Sequence, residues 1–291
     1  MPSSAYQDPT QDNAWDVRSI SLPGRGELLL RESKGKADAP PLFLLHGLAA
    51  TGLLNWRPAL ETLAQKYRVL VVDHRGHGRG IRTRAPFRLA NCADDVAAVA
   101  DELGIERFFA AGYSMGGPIA QLTWKRHRAR VRGLILCATA CRFSSKEQRL
   151  LSFAATPAMN AIGRIAPRRF IRRIARNWLS EAIENEETRA WVMSEVSSSD
   201  PVSIGQATAA IWRFDSRDWI AEVDVPTSVI LTEHDNLVRP DIQRALADRI
   251  PGAQVFRIPG DHAVCVGEPE LFVPALSEAC ASVVTRATRQ D

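Results

Sequence analysis

The sequence predicts an α/β protein with a sheet covered by helices on both faces. Three observations lead there. Short, almost wholly apolar runs recur along the chain, as strands buried on both sides require. Helical patterns separate most of those runs. The chain has 291 residues, enough to bury a large core as one domain with an insertion.

The elements follow in order. Val17–Leu22 and Glu27–Glu32, linked by Pro23-Gly24-Arg25-Gly26, read as a hairpin. Strands are then expected at Leu42–Leu45, Val69–Asp73, Arg107–Ala111, Leu134–Ala138, Ser228–Leu231 and Gln254–Ile258. Between and after them come helical patterns at Leu53–Lys66, Leu89–Leu103, Met115–Arg128, Asp241–Ile250 and Glu270–Val284. In the helix from Met115, Ile119, Leu122 and Thr123 should face the core. From about Arg142 to Val223 no buried-strand run occurs and helical patterns dominate. The expected organisation is therefore an N-terminal tail, 1–16, a core of 17–141 and 223–291, and a helical insertion, 142–222.

Composition narrows the class. With 45% hydrophobic and 24% charged residues, the chain resembles an ordinary soluble globule. No apolar run approaches the roughly 18 to 20 residues that span a bilayer. Met1–Trp15 is polar and lacks the apolar stretch of a secretory signal, so a cytoplasmic location is expected. Cys92, Cys137, Cys141, Cys265 and Cys280 are scattered without CxxC spacing and read as reduced, structural thiols. A net charge of +4 with few aromatics among the basic residues gives no argument for nucleic acid. No metal constellation appears, and Gly112 to Gly117 lacks GxGxxG spacing, so neither metal nor cofactor is expected.

The chemistry centres on Gly112-Tyr113-Ser114-Met115-Gly116, a GxSxG pentapeptide between an apolar run and a helical pattern. A sharp strand-to-helix turn lifts a serine hydroxyl clear of the backbone, and small neighbours at Gly112 and Gly116 give it room. The helix N-terminus behind it presents free N–H groups towards developing negative charge. Other polar motifs fall at strand ends. His46-Gly47-Leu48 follows the third strand, where the Leu48 N–H could face the same point as that of Met115 and form an oxyanion hole. Asp73-His74-Arg75-Gly76-His77-Gly78 follows the fourth. Thr232-Glu233-His234-Asp235-Asn236 follows the seventh and Gly260-Asp261-His262 the eighth. Ser114, Asp235 and His262 stand in the order serine, acid, histidine.

Together these motifs resemble the α/β-hydrolase fold family from about Val17 to Val284, the middle insertion apart. The resemblance implies a mostly parallel eight-stranded sheet, its second strand antiparallel, with a helical cap inserted after the sixth strand over the active site. The LFLLHG, DHRGHG and GYSMGG stretches look like the small soluble esterase, perhydrolase and carbon–carbon-bond hydrolase branch. Leu48-Ala49-Ala50 replaces the glycines of HGGG lipases. On this reading Ser114 attacks an acyl carbon, His262 relays its proton, Asp235 orients the imidazole, and the Leu48 and Met115 amides hold the oxyanion. His46 would order the oxyanion loop. His74 and His77 compete weakly with His262 as base, and Glu233 and Asp241 with Asp235 as acid. Serine at the elbow favours acyl transfer to water, with a carboxylic ester, lipid ester or acyl thioester as substrate. Carbon–carbon-bond cleavage of ring-cleavage diketones, transfer to peroxide or alcohol, and a silent receptor or scaffold remain the alternatives.

The insertion is electrically split. Arg142, Lys146, Arg149, Arg164, Arg168, Arg169, Arg172, Arg173 and Arg176 stand against the single acid Glu147, whereas acids outnumber arginines from Glu181 to Glu222. A helix at Pro167–Leu179 would set Phe170, Ile171, Ile174 and Trp178 opposite Arg169, Arg172, Arg173 and Arg176. Either the halves pair or face water, or the basic half attracts anionic substrates or a membrane surface. Leu150, Leu151, Phe153, Met159, Ile162, Trp191, Ile211, Trp212 and Phe214 could line an acyl pocket or form the insertion's own core.

Overall fold

The computed structural model describes residues 10, 14–35, 38–145 and 186–290. Eight strands form one sheet: β1 (Trp15–Leu22), β2 (Gly26–Ser33), β3 (Pro41–Leu45), β4 (Arg68–Val72), β5 (Phe108–Tyr113), β6 (Val131–Cys137), β7 (Thr227–Thr232) and β8 (Gln254–Ile258). Their order is β1-β2-β4-β3-β5-β6-β7-β8. β2 pairs antiparallel with both β1 and β4, and every other pairing is parallel.

The helices are α1 (Gly52–Ala64), α2 (Leu89–Glu102), α3 (Gly116–Arg126), α4 (Glu186–Ser197), α5 (Pro201–Arg213), α6 (Pro240–Ala247), α7 (Val264–Gly267) and α8 (Pro269–Thr288). Alternation along the central strands divides the core in two. Phe43, Leu45, Leu70 and Ala110 join Val96 of α2 and Trp124 of α3 on one face. Leu42, Leu44, Val71 and Phe109 join Trp56 and Leu60 of α1 and Phe272 of α8 on the other. Each such fully buried leucine or phenylalanine contributes about 1.5–3 kcal/mol of transfer free energy.

Several boundaries differ from expectation for physical reasons. β1 begins at Trp15, not Val17, because the Trp15 indole is buried and its backbone pairs opposite Ser33. β4 ends at Val72, before Asp73, whose carboxylate is spent on the Gly52 and Arg79 N–H groups, both at 2.7 Å. β5 runs two residues past Ala111, since Gly112 still pairs with Leu45 and Leu136 and Tyr113 with Cys137. β6 stops short of Ala138, which turns to a φ of 47°. Leu122 is only half-buried, while Ile119 and Thr123 are fully buried.

Between β6 and β7 the described residues carry α4, α5 and a short 3-10 turn at Ile220–Glu222, with one isolated bridge, Arg142 to Asp215, and no strand. The proposed helix at Pro167–Leu179, every residue of the insertion's basic run from Lys146 to Arg176, and Leu150 to Ile162 lie outside the described residues. α4 and α5 are tied to the loops at the strand ends. Thr51 donates its hydroxyl to Glu195, the Asp200 N–H reaches Gly76 O at 2.7 Å, and Gly78 N–H reaches Ser199 Oγ at 3.2 Å. Ile211 and Phe214 belong to the main core, whereas Trp212 is exposed. All five cysteines are free and buried. Among the described residues no helix is long and apolar enough to cross a membrane.

Candidate active site

Parallel strands deliver their C-terminal loops to one edge, and five of those loops meet here. At the end of β5 the backbone turns through Ser114, whose φ of 50° is a left-handed conformation that costs an L-residue energy. Its neighbours explain how the turn closes. A Cβ on Gly112 would lie 2.2 Å from Gly116 O, and one on Gly116 would lie 2.0 Å from Leu45 O. Only hydrogen fits at either position, so α3 can start immediately behind the serine.

The turn brings three distant side chains together. His262 Nε2 lies 3.0 Å from Ser114 Oγ, and His262 Nδ1 lies 2.7 Å from Asp235 Oδ2. Asp235 is buried, and every approach to its carboxylate is by a donor. Oδ1 accepts from the Leu237 and Val238 N–H groups at 2.9 and 2.8 Å, and Oδ2 from Thr232 Oγ1 at 2.9 Å. Gln243 completes the bracket: its Nε2 reaches Val238 O at 2.6 Å, Thr232 Oγ1 at 2.8 Å and Asp235 Oδ2 at 3.3 Å, and its Oε1 accepts from the Thr232 N–H. The competing acids stand elsewhere. Glu233 pairs with Arg257 and Asp241 with Arg239, both exposed pairs.

The loop after β3 packs against the serine. A Cβ on Gly47 would come within 3.3 Å of Ser114 Cβ. His46, fully buried, uses both ring nitrogens: Nε2 accepts the His74 N–H at 2.9 Å and Nδ1 sits 2.8 Å from Gly47 O. Since an N–H can only donate, the proton must be on Nδ1, and the ring is neutral. Burial lowers its pKa, against the opposing pull of Asp73 and the Gly47 carbonyl. A trans peptide sets C=O and N–H on opposite sides, so His46, by holding Gly47 O, turns the Leu48 N–H away from itself. Among the described residues neither the Leu48 nor the Met115 N–H has a hydrogen-bond acceptor.

His74 and His77 pack tilted against His46, with centroids 4.3 and 5.4 Å away, while the imidazole that meets Ser114 and Asp235 is that of His262. Burial, then repulsion from His46, drives His77 down to about 3 and His74 well below the usual imidazole value. Arg75 anchors the same turn through a two-pronged pair with Asp95 of α2 at 2.5 and 2.6 Å.

Three contributors carry no sequence signal of their own. Tyr113 donates its hydroxyl to His262 O at 2.8 Å. Gln243 reads as an ordinary polar helix residue until α6 lands on the acid loop. Asn55, in α1, accepts the Gly47 N–H at 2.6 Å and donates to Cys265 Sγ at 3.4 Å. Burial pushes the Cys265 thiol up to about 11, against hydrogen bonds to Tyr113 and Asn55. No group of three or more His, Cys, Asp and Glu among the described residues could hold a metal ion.

Comparison with known proteins now decides the family. The sequence profile of the alpha/beta hydrolase fold matches residues 40–269. The chain belongs to the α/β-hydrolase fold family. The strand order is that of a mostly parallel eight-stranded α/β-hydrolase sheet, and the protein is an α/β-hydrolase enzyme. Among curated relatives it is similar to a protein of Azorhizobium caulinodans named as a candidate carbamate hydrolase, RutD, with 26% identity over 84% of this chain and 97% of that protein. It is also similar to 3-oxoadipate enol-lactonase 1 of Acinetobacter baylyi, 24% identical over 90% of this chain and 97% of the other. Among solved structures a thermophilic esterase from Thermogutta terrifontis superposes with a TM-score of 0.77 and 26% identity, covering 92% of this α/β-hydrolase and 99% of the esterase.

Proposed function

We propose that this α/β-hydrolase is a serine hydrolase of carboxylic esters, working through an acyl-enzyme on Ser114. One observation carries the reading: a single imidazole lies 3.0 Å from the serine oxygen and 2.7 Å from a buried carboxylate. In the first half-reaction the Ser114 Oγ–H proton passes to His262 Nε2 as Oγ bonds to the carbonyl carbon. The oxyanion so formed accepts hydrogen bonds from the Leu48 and Met115 amides, each such donor being worth on the order of 3 kcal/mol of barrier. His262 then gives the proton to the leaving oxygen and the C–O bond breaks. Water repeats the sequence in reverse and frees the acid. Asp235 keeps the Nδ1–H tautomer and stabilises the imidazolium.

The relatives named enol-lactonase and esterase support an ester carbonyl, and the one named for carbamates has the same carbonyl next to nitrogen. The serine nucleophile suits all three. No observation favours carbon–carbon cleavage over ester cleavage. The segment between β6 and β7 serves in this reading as a cap that selects the acyl group, and its basic half would favour anionic acyl substrates.

A fluorophosphonate probe tests the chemistry directly. Wild type should be labelled and Ser114→Ala should not, and a folded wild type that takes up no label overturns the proposal. A graded series of p-nitrophenyl esters, a lactone and an acyl-CoA then ranks the substrates.

A further inference from the structure

We infer that Asn55 is a positioning residue for the oxyanion hole, a role that rests on the ester-hydrolase reading of Ser114. Gly47 has no side chain to resist rotation, yet the Leu48 amide beyond it must point at one place. Two hydrogen bonds, one on each side of the Gly47 Cα, supply that resistance. The peptide after Gly47 is held by its carbonyl, 2.8 Å from His46 Nδ1. The peptide before it is held by its N–H, which donates to Asn55 Oδ1 at 2.6 Å.

The orientation of Asn55 is not arbitrary. The Gly47 N–H can only donate, so the amide oxygen must face it, and the NH2 group must then face Cys265 Sγ at 3.4 Å. Cys265 lies three residues beyond His262 at the start of α7, and Asn55 is fixed in α1 with its side chain buried. The side chain therefore joins the oxyanion loop to the turn that carries the histidine. Buried, the Gly47 N–H gains full value from this acceptor and would be orphaned without it. Tyr113, at the end of β5, reaches the same histidine turn through its hydroxyl, which donates to His262 O at 2.8 Å. Two buried side chains, Asn55 and Tyr113, thus tie the oxyanion loop and the nucleophile strand to the histidine turn.

A positioning role makes a prediction that a merely structural role does not. Asn55→Leu, similar in shape but without an acceptor, should lower kcat for p-nitrophenyl acetate about 10- to 100-fold, with KM within about threefold of wild type. Asn55→Asp keeps an oxygen towards Gly47 and should recover most of the lost kcat. The Gly47 amide proton, followed by NMR, should move upfield in Asn55→Leu and stay close to its wild-type position in Asn55→Asp. A folded Asn55→Leu with kcat within about twofold of a labelled, active wild type overturns the positioning role alone, as does an Asn55→Asp no better than Asn55→Leu. A wild type that neither labels nor turns over overturns the ester-hydrolase reading itself. If Asn55→Leu fails to fold, Asn55→Ala is judged by the same measures; if neither folds, the residue serves the fold and not the loop, and the inference falls.

Discussion

The hydroxyl of Tyr113 donates to the main-chain carbonyl of His262 at 2.8 Å, so the residue beside the proposed nucleophile holds the proposed base by its backbone. Tyr113 is buried against Trp56 and Phe272, with ring centroids 6.1 and 5.6 Å away, which leaves the phenol little freedom. Tyr113→Phe should keep the packing and lose the tether. A stability loss of about 1 kcal/mol is expected from one buried hydrogen bond. Because Nε2 would wander from Ser114, kcat should drop about three- to tenfold with KM unchanged. Thermal melts and ester kinetics on the pure variant check both, and an unchanged kcat would show that the histidine turn needs no such support.

Gln243 makes a second test. Its buried side chain satisfies the Thr232 N–H, the Val238 carbonyl and part of Asp235. Gln243→Leu fills the volume but strands those groups, which should cost about 2–3 kcal/mol and lower kcat as the acid loop loosens. Urea denaturation with the same ester assay measures it. Full stability in Gln243→Leu would mean that the loop is held by Thr232 and the backbone alone.

The elbow stores strain at Ser114, and the strain has a sign. At a φ of 50° glycine is at ease and alanine is not. Both Ser114→Gly and Ser114→Ala remove the nucleophile, so both should be inactive. Of the two, Ser114→Gly should be the more stable, by up to about 1 kcal/mol after allowing for its freer unfolded chain. An equal or lower urea midpoint for Ser114→Gly would show that the turn is relaxed.

Acid sensitivity follows from the buried imidazoles. His46, His74 and His77 have folded-state pKa values depressed by burial, that of His77 to about 3. Unfolded, each titrates near 6.5, so between that pH and the folded value the unfolded chain binds more protons. Stability is therefore fully present above about pH 6.5 and is lost as pH falls, by about 1.4 kcal/mol per pH unit for each histidine that stays neutral in the fold. Melts from pH 7.5 to 4.5 should show this slope, and His77→Asn should be shallower by one proton. A slope unaltered by that substitution would place the acid sensitivity in other groups.

The strands and the loops that carry Ser114, Asp235 and His262 are legible because their signals are local. Apolar runs mark β3 to β7, the glycine spacing marks the elbow, and Asp235 and His262 each follow a run directly. Asn55, Tyr113 and Gln243 were not legible, because a lone polar residue inside a helix or strand looks the same whether it meets water or a buried loop. What distinguishes Asn55 is Cys265, 210 residues away along the chain. The ends of β4 and β5 differ from the sequence expectation for a related reason. Pairing with neighbouring strands extends β5 through Gly112 and Tyr113, and capture of the Asp73 carboxylate by two amides ends β4, and neither is visible from hydropathy alone.

Ser114 and His262 are separated by 148 positions in sequence, and the histidine turn is reached only after β8, the sheet's edge strand beside β7. Until β8 has paired with β7, the serine lacks its base, and the acid has no imidazole to orient. A nascent or partly unfolded molecule would thus be chemically mute even with its elbow formed. Reaction with the probe would then serve as a clock for the last long-range closure of the sheet, trailing the recovery of helical signal during refolding.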